Sequence, residues 1–219
     1  SGKSTTLAAM IDHINTTKSS HIITIEDPIE YLHGHKRCMI NQREIGSDVP
    51  DFSSALRSSL REDPDVILVG EMRDYETVNA AVTAAETGHL VMSTLHTTDA
   101  ASTIDRIIDV FPAHQQRQIR TQLASVLVGI VCQTLIPKLD NSGRIACLEI
   151  LNVTDAISAM IRDDKVHLIS TAIQTGKSLG MQTRDQELAR MVKERIISLE
   201  NALDRCSSSQ ELNRFLNSK

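Results

Sequence analysis

The sequence predicts an α/β fold, a mostly parallel sheet with helices on its faces, followed by a small C-terminal helical unit. Short β-branched runs alternate with helix-forming runs up to about residue 94, the rhythm of right-handed βαβ units. Aromatics are scarce: there is no Trp, Tyr31 and Tyr75 are the only tyrosines, and there are three Phe. The core must therefore be built from Ile, Leu, Val, Ala and Met, which suits helices packed on a parallel sheet. Gly2-Lys3-Ser4, followed at once by an Ala-rich helical pattern, reads as the second half of a phosphate-binding loop.

The elements follow in order. After the helical pattern around Leu7-Ala8-Ala9-Met10-Ile11, His21-Ile22-Ile23-Thr24-Ile25 reads as a buried strand ending at Glu26-Asp27-Pro28. Residues 37–43 offer another strand, and Asp51 is placed to cap a helix running to Leu60. Asp63-Pro64 ends that segment. Val66-Ile67-Leu68-Val69 is a short apolar strand, 76–87 a helix stopped by Gly88, and Leu90-Val91-Met92-Ser93-Thr94 a further strand. Helices are expected at about 100–110 and 115–130, and two strands at 133–136 and 145–150 around the turn Asp140-Asn141-Ser142-Gly143. Beyond Thr154 the pattern is of short helices, with capping boxes at Thr183/Gln186 and Ser208/Glu211. A boundary is expected near residue 153, dividing an α/β core (1–153) from a helical unit (154–219).

Composition excludes several classes. The formal net charge is −5 and no long Lys/Arg run occurs, so nucleic acid is not the expected partner. Cys38, Cys132, Cys147 and Cys206 stand far apart, without metal-clip spacing, and free thiols fit a reducing cytosol. No apolar run approaches the roughly 20 residues that span a bilayer.

Four segments carry chemistry. In a phosphate-binding loop the backbone N–H groups wrap the phosphates, Lys3 reaches the β/γ-phosphates and the Ser4 hydroxyl serves Mg²⁺. The first half of the loop and its feeding strand do not appear, so the chain is expected to be a fragment that starts inside the loop. Glu71 ends the strand 66–69, where ligands bind in open α/β sheets, and can hold Mg²⁺ through water or polarise the attacking water. The bland alternative is that it merely pairs with Arg73. Glu26-Asp27-Pro28-Ile29-Glu30 lies at another strand end; a carboxylate there can position or deprotonate water, with Glu30 the better base although residue type alone does not separate it from Glu26. His89 and His96 flank the last strand. Seven residues at about 3.3 Å each separate their imidazoles by roughly 20 Å, so they do not share a metal unless the segment bends. His96, at the carboxyl end, is placed to sense a γ-phosphate.

In this order these segments resemble the secretion ATPases of type IV pili and type II secretion. Ser1-Gly-Lys-Ser-Thr5 matches their Walker A loop, Ile25-Glu-Asp-Pro-Ile-Glu30 the Asp box, Ile67-Leu-Val-Gly-Glu71 the Walker B strand and Thr87-Gly-His … Leu-His96 the His box. Arg61-Glu-Asp-Pro-Asp-Val, Glu71-Met-Arg-Asp, Ser93-Thr-Leu-His-Thr-Thr-Asp and Ile173-Gln-Thr-Gly … Gly180-Met-Gln-Thr look like the pilus-retraction (PilT-type) branch. The resemblance implies a RecA-like P-loop core, a homo-hexameric ring fuelled by ATP and Mg²⁺, and a cytoplasmic place at the inner-membrane base of the pilus machine, against its platform protein. By resemblance, Glu30, Glu71 and His96 are catalytic; Gly2, Lys3, Ser4, Thr5 and His89 bind nucleotide; Ser4 and Glu71 serve the metal. It also implies a preceding PAS-like domain. Arg57, Arg61 and Arg106 are candidate donors across a ring interface. The paired-cysteine zinc module common in assembly ATPases is missing, which favours retraction. The retraction-linked helix, however, reads Ala156-Ile-Ser-Ala-Met-Ile-Arg-Asp163, with the family's first Arg and its Asn replaced. An assembly ATPase, or a weakly catalytic nucleotide-binding accessory of a retraction motor, is therefore the alternative.

Overall fold

The structure is a computed structural model that describes residues 2–217. Ser1, the first residue of the loop motif, lies outside the described residues. The elements are α1 (Lys3–Thr17), β1 (His21–Glu26), β2 (Met39–Glu44), α2 (Phe52–Ser59), β3 (Val66–Val69), α3 (Tyr75–Glu86), β4 (Leu90–Ser93), α4 (Ala100–Asp109) and α5 (Ala113–Val126). They continue with β5 (Gly129–Pro137), β6 (Arg144–Asn152), α6 (Asp155–Arg162), α7 (Ile169–Thr175), α8 (Arg184–Lys193), α9 (Leu199–Leu203) and α10 (Ser209–Asn217). The chain forms two compact units.

One unit comprises Lys3–His96 and Arg106–Val126. Its four strands are all parallel, in the order β2-β1-β3-β4. Alternate side chains of a strand point to opposite faces, and β1 and β3 are buried on both. Ile22, Val66 and Leu68 pack with Ile40 of β2 and Ile11 of α1 on one face. Ile23, Ile25, Ile67 and Val69 pack with Leu56 of α2 and Ala80, Ala81 and Ala84 of α3 on the other. Ile22, Ile23, Ile25 and Ile67 are fully buried, each worth about 1.5–3 kcal/mol relative to exposure. The small alanines of α3 let that helix lie close to the sheet.

Caps fix where the helices start. Asp51 accepts from the Ser54 amide and Asp74 from the Thr77 amide, each satisfying a first-turn N–H that has no intrahelical partner. Edge-on contact of Tyr75 with Phe111, ring centroids 4.9 Å apart, ties α3 to the segment before α5.

The other unit contains Thr97–Asp105 and the described residues from Leu127 onward, with Gly2. Its β5 and β6 pair antiparallel from Gly129↔Asn152 to Pro137↔Arg144, longer at both strands than the expected 133–136 and 145–150. Ile136 and Cys147 of this hairpin share a core with Leu188, Ala189 and Met191 of α8, Ala202 of α9 and Leu212 of α10. The hairpin thus packs with the helices that follow it, within one compact unit. Thr183 and Gln186 form the reciprocal capping box. At α10 half of the expected box is present: the Glu211 amide donates to Ser208 Oγ at 3.3 Å, but the Ser208 amide donates to Asp185 Oδ2 at 2.9 Å. Buried Asp185 takes the Ser207 amide as well, at 2.7 Å, and so supplies the acceptor the box would have supplied. In α6, Ile157 and Ile161 are buried, so the apolar spacing of the altered helix is used for packing.

All four cysteines are free thiols, Cys38 and Cys147 buried. No described helix is long and apolar enough to cross a membrane.

Candidate nucleotide site

Because β1, β3 and β4 run parallel, their carboxyl ends share one edge, where open α/β sheets bind ligands. Glu71 follows β3 there and His96 follows β4. Gly70 allows the turn between strand and carboxylate: its amide donates to the Ile25 carbonyl at 2.7 Å, and a Cβ at this position would stand 3.3 Å from that same oxygen. Thr94 Oγ1 donates to the Gly70 carbonyl at 2.7 Å, pinning the ends of β3 and β4 together.

The N-terminus of α1 meets this edge. Lys3 Nζ donates to the Leu95 carbonyl at 3.1 Å and lies 3.4 Å from His96 Nδ1. His96 Nε2 lies 3.4 Å from Glu71 Oε2, and Arg73 Nη2 donates to the same oxygen at 2.7 Å. Glu71 therefore makes the pair with Arg73 that the bland reading anticipated, and still faces the histidine. Burial holds the Lys3 ammonium below its usual range; the Glu71 carboxylate opposes that shift and Arg73 adds to it. The cation sits at the N-terminus of α1, an arrangement suited to an anion such as a phosphate. Gly2, before it, has φ +76°, a backbone that glycine adopts without strain.

One residue further on, Ser4 Oγ donates to Glu30 Oε1 at 3.0 Å, and Thr5 Oγ1 lies 2.8 Å from Tyr31 Oη. The two carboxylates at the end of β1 thus differ in their surroundings. Glu26 Oε1 accepts from Thr24 Oγ1 at 2.7 Å and Gln42 Nε2 at 3.2 Å, at the strand end, while Glu30 is exposed and faces the Ser4 hydroxyl. The Ser4 hydroxyl and the Glu71 carboxylate are hard oxygen groups of the kind Mg²⁺ prefers. Among the described residues no group of three His, Cys, Asp or Glu is set to hold a metal unaided. Mg²⁺ bound with a nucleotide needs fewer protein ligands, because waters and phosphates complete its shell.

His89 is not brought to this edge. It precedes β4, and its Nδ1 lies 2.9 Å from the Ala84 carbonyl and 3.1 Å from Thr87 Oγ1, at the end of α3. Tyr31, Gln42 and Thr94 were not singled out by sequence. For Gln42 the signal was available: strand alternation puts it on the same face as the core residue Ile40.

The fold and this edge define a P-loop nucleotide-binding protein. The type II/IV secretion system protein family model matches residues 1–204, and the chain belongs to that family. It is 58% identical to the type IV pilus retraction ATPase PilT of Pseudomonas aeruginosa over 205 residues, covering 94% of this chain and 59% of that protein. It is 52% identical to a twitching motility protein of Neisseria gonorrhoeae, covering 97% of the chain and 57% of the relative. PilU, a type IV pilus ATPase of P. aeruginosa, is 44% identical over 96% of the chain and 55% of its own length. Among solved structures, the pilus retraction motor PilT with bound ADP superposes with a TM-score of 0.91 at 51% identity, over 98% of this chain and 60% of that one. The ATPase DotB of Legionella pneumophila gives 0.84 at 28% identity, over 92% and 56%. The chain has the α/β fold of these ATPases, a RecA-like P-loop core with C-terminal helices. It spans about three-fifths of the length of the relatives it matches.

Proposed function

We propose that this chain is the catalytic part of an ATP-hydrolysing motor that drives type IV pilus retraction. The observation that carries the reading is the meeting at one sheet edge of Ser4 with Glu30, and of Lys3 with His96 and Glu71. Similarity to retraction ATPases supplies the class of work. In this reading Gly2, Lys3 and Thr5 hold the phosphates from the start of α1, and Ser4 and Glu71 serve Mg²⁺. When bound, Mg²⁺ would neutralise charge on the β- and γ-phosphates. Glu30 takes a proton from the water that attacks the γ-phosphorus, and His96 joins Lys3 to Glu71 so that loss of the phosphate is felt at the end of β4. His89 lies outside this set and closes the end of α3.

The working assembly is proposed to be a homo-hexamer on the cytoplasmic side of the inner membrane, pushing on the pilus platform protein, with no nucleic acid involved. Deleting the gene should leave cells that carry pili but do not retract them. Bald cells would instead place the motor in pilus assembly. Within the site, Glu30→Gln should lower ATP hydrolysis by about 10²–10⁴-fold, the usual contribution of a general base. ADP affinity should be retained, and parental turnover in that variant would remove Glu30 from the mechanism.

A further inference from the structure

Glu30 is an exposed side chain on the irregular segment 27–38, and its place is set by how the backbone on either side of it is held. Three side chains from regular elements do the holding. On β2, Gln42 and Glu44 share the face of Ile40, which packs in the core against Ile11. Glu44 Oε2 accepts from the Ile29 amide at 3.0 Å. Gln42 Nε2 donates to the Tyr31 carbonyl at 2.8 Å, while its Oε1 accepts from the His33 amide at 2.8 Å. Towards this segment the side-chain amide of Gln42 thus donates once and accepts once, to residues two apart, as a peptide group of a neighbouring strand would, while its Nε2 also donates to Glu26 Oε1 at 3.2 Å. Further on, fully buried Asn15 accepts from the Lys36 and Cys38 amides at 3.1 and 3.3 Å and donates to the Gly34 carbonyl at 2.8 Å.

We propose that Gln42 is a positioning residue for hydrolysis, acting through the backbone at Tyr31 and His33 to hold the Glu30 carboxylate on Ser4. The proposal rests on the reading of Glu30 as the group that handles the attacking water. A misplacement of about 1 Å at a reacting group costs on the order of a hundredfold in rate, so a loosened backbone beside Glu30 has a large effect without any contact between Gln42 and nucleotide. Nucleotide binding, by contrast, is assigned to the start of α1, to which Gln42 itself makes no hydrogen bond.

Two variants of the intact protein test this. Gln42→Leu removes both bonds to the segment and the one to Glu26. Gln42→Glu keeps the acceptor for the His33 amide, loses the donor to the Tyr31 carbonyl and sets a carboxylate beside Glu26; it carries the test should Gln42→Leu not fold. Both should lower kcat by about tenfold to a hundredfold, with KM within about twofold of the parent. Hydrogen exchange at residues 29–33 should quicken. The introduced carboxyl, raised from about 4.3 by its neighbour Glu26, regains a proton to donate as pH falls. At each pH the kcat of Gln42→Glu relative to the parent's should therefore rise as pH falls towards the range where the carboxyl protonates. A merely destabilising change would not reverse in this way. Parental kcat in both variants overturns the proposal, as does a loss in Gln42→Glu that does not recover at low pH. An inactive parent overturns the functional reading together with this one. Hydrolysis lost in Glu30→Gln but kept in the Gln42 variants overturns this one alone.

Discussion

Arg73 Nη2 donates to Glu71 Oε2 at 2.7 Å, and the same oxygen lies 3.4 Å from His96 Nε2. The arginine is two-thirds exposed, with a side-chain accessibility of 66%. An ion pair so open to water contributes no more than about 1 kcal/mol to stability. Arg73→Ala should therefore leave the urea midpoint nearly unchanged while altering ATP turnover, because it frees the carboxylate assigned to the metal. A large loss of stability with unchanged turnover would make the pair structural.

Lys3 carries the phosphate reading. Replacing it by Ala removes the ammonium that lies by the Leu95 carbonyl and His96. A charge-assisted hydrogen bond contributes about 1.5–3 kcal/mol, so ADP binding by calorimetry should weaken by about ten- to a hundredfold. Unchanged affinity would place the phosphates elsewhere.

Asp185 tests the packing of the C-terminal unit. It is 2% exposed and accepts from the Ser207 and Ser208 amides ahead of α10. Asp185→Ala should destabilise the chain by about 1–3 kcal/mol for each donor left unpaired, read by equilibrium denaturation. Thr183→Ala, which removes a cap from α8, should cost about 1 kcal/mol by the same measurement.

Glu149 on β6 makes stability depend on pH. Burial raises the pKa of its carboxyl and Asp99 adds to that, while the Ala100 amide, at 2.8 Å, and Arg184 oppose it. A group raised in the folded state contributes fully below its unfolded pKa, about 4.3, and loses that contribution as pH rises through the folded value. Glu149→Gln cannot ionise and escapes the loss. Its melting temperature relative to the parent's should climb as pH rises from about 4 through the folded pKa and level off above it. A difference independent of pH would show that Glu149 is solvated in the folded protein.

The sheet was legible because its strands announce themselves locally: Val66-Ile67-Leu68-Val69 is apolar on both faces, and β3 has those bounds. Asp51 likewise caps α2 as its spacing implied. What depended on distant partners was not legible. Residue type alone does not separate Glu26 from Glu30, since their difference comes from Gln42 on β2 and Ser4 on α1. The Ser208 box is half replaced because Asp185, 23 residues away in sequence, takes its amide. The hairpin's allegiance to the later helices rests on contacts of Ile136 and Cys147 with Leu188 and Leu212, which no local pattern records. The separation of His89 from His96 was legible too, because an extended strand of that length puts them at its opposite ends.

The most direct measurement is steady-state ATP hydrolysis by the intact protein with Mg²⁺, beside the same protein carrying Glu71→Gln. The carboxylate that faces His96 and the start of α1 is expected to be required, so the parent should turn over ATP and the variant should lose at least about a hundredfold in kcat. Hydrolysis at the parental rate by Glu71→Gln, or none by the parent, would contradict the assignment of this edge as the site of an ATP-driven motor.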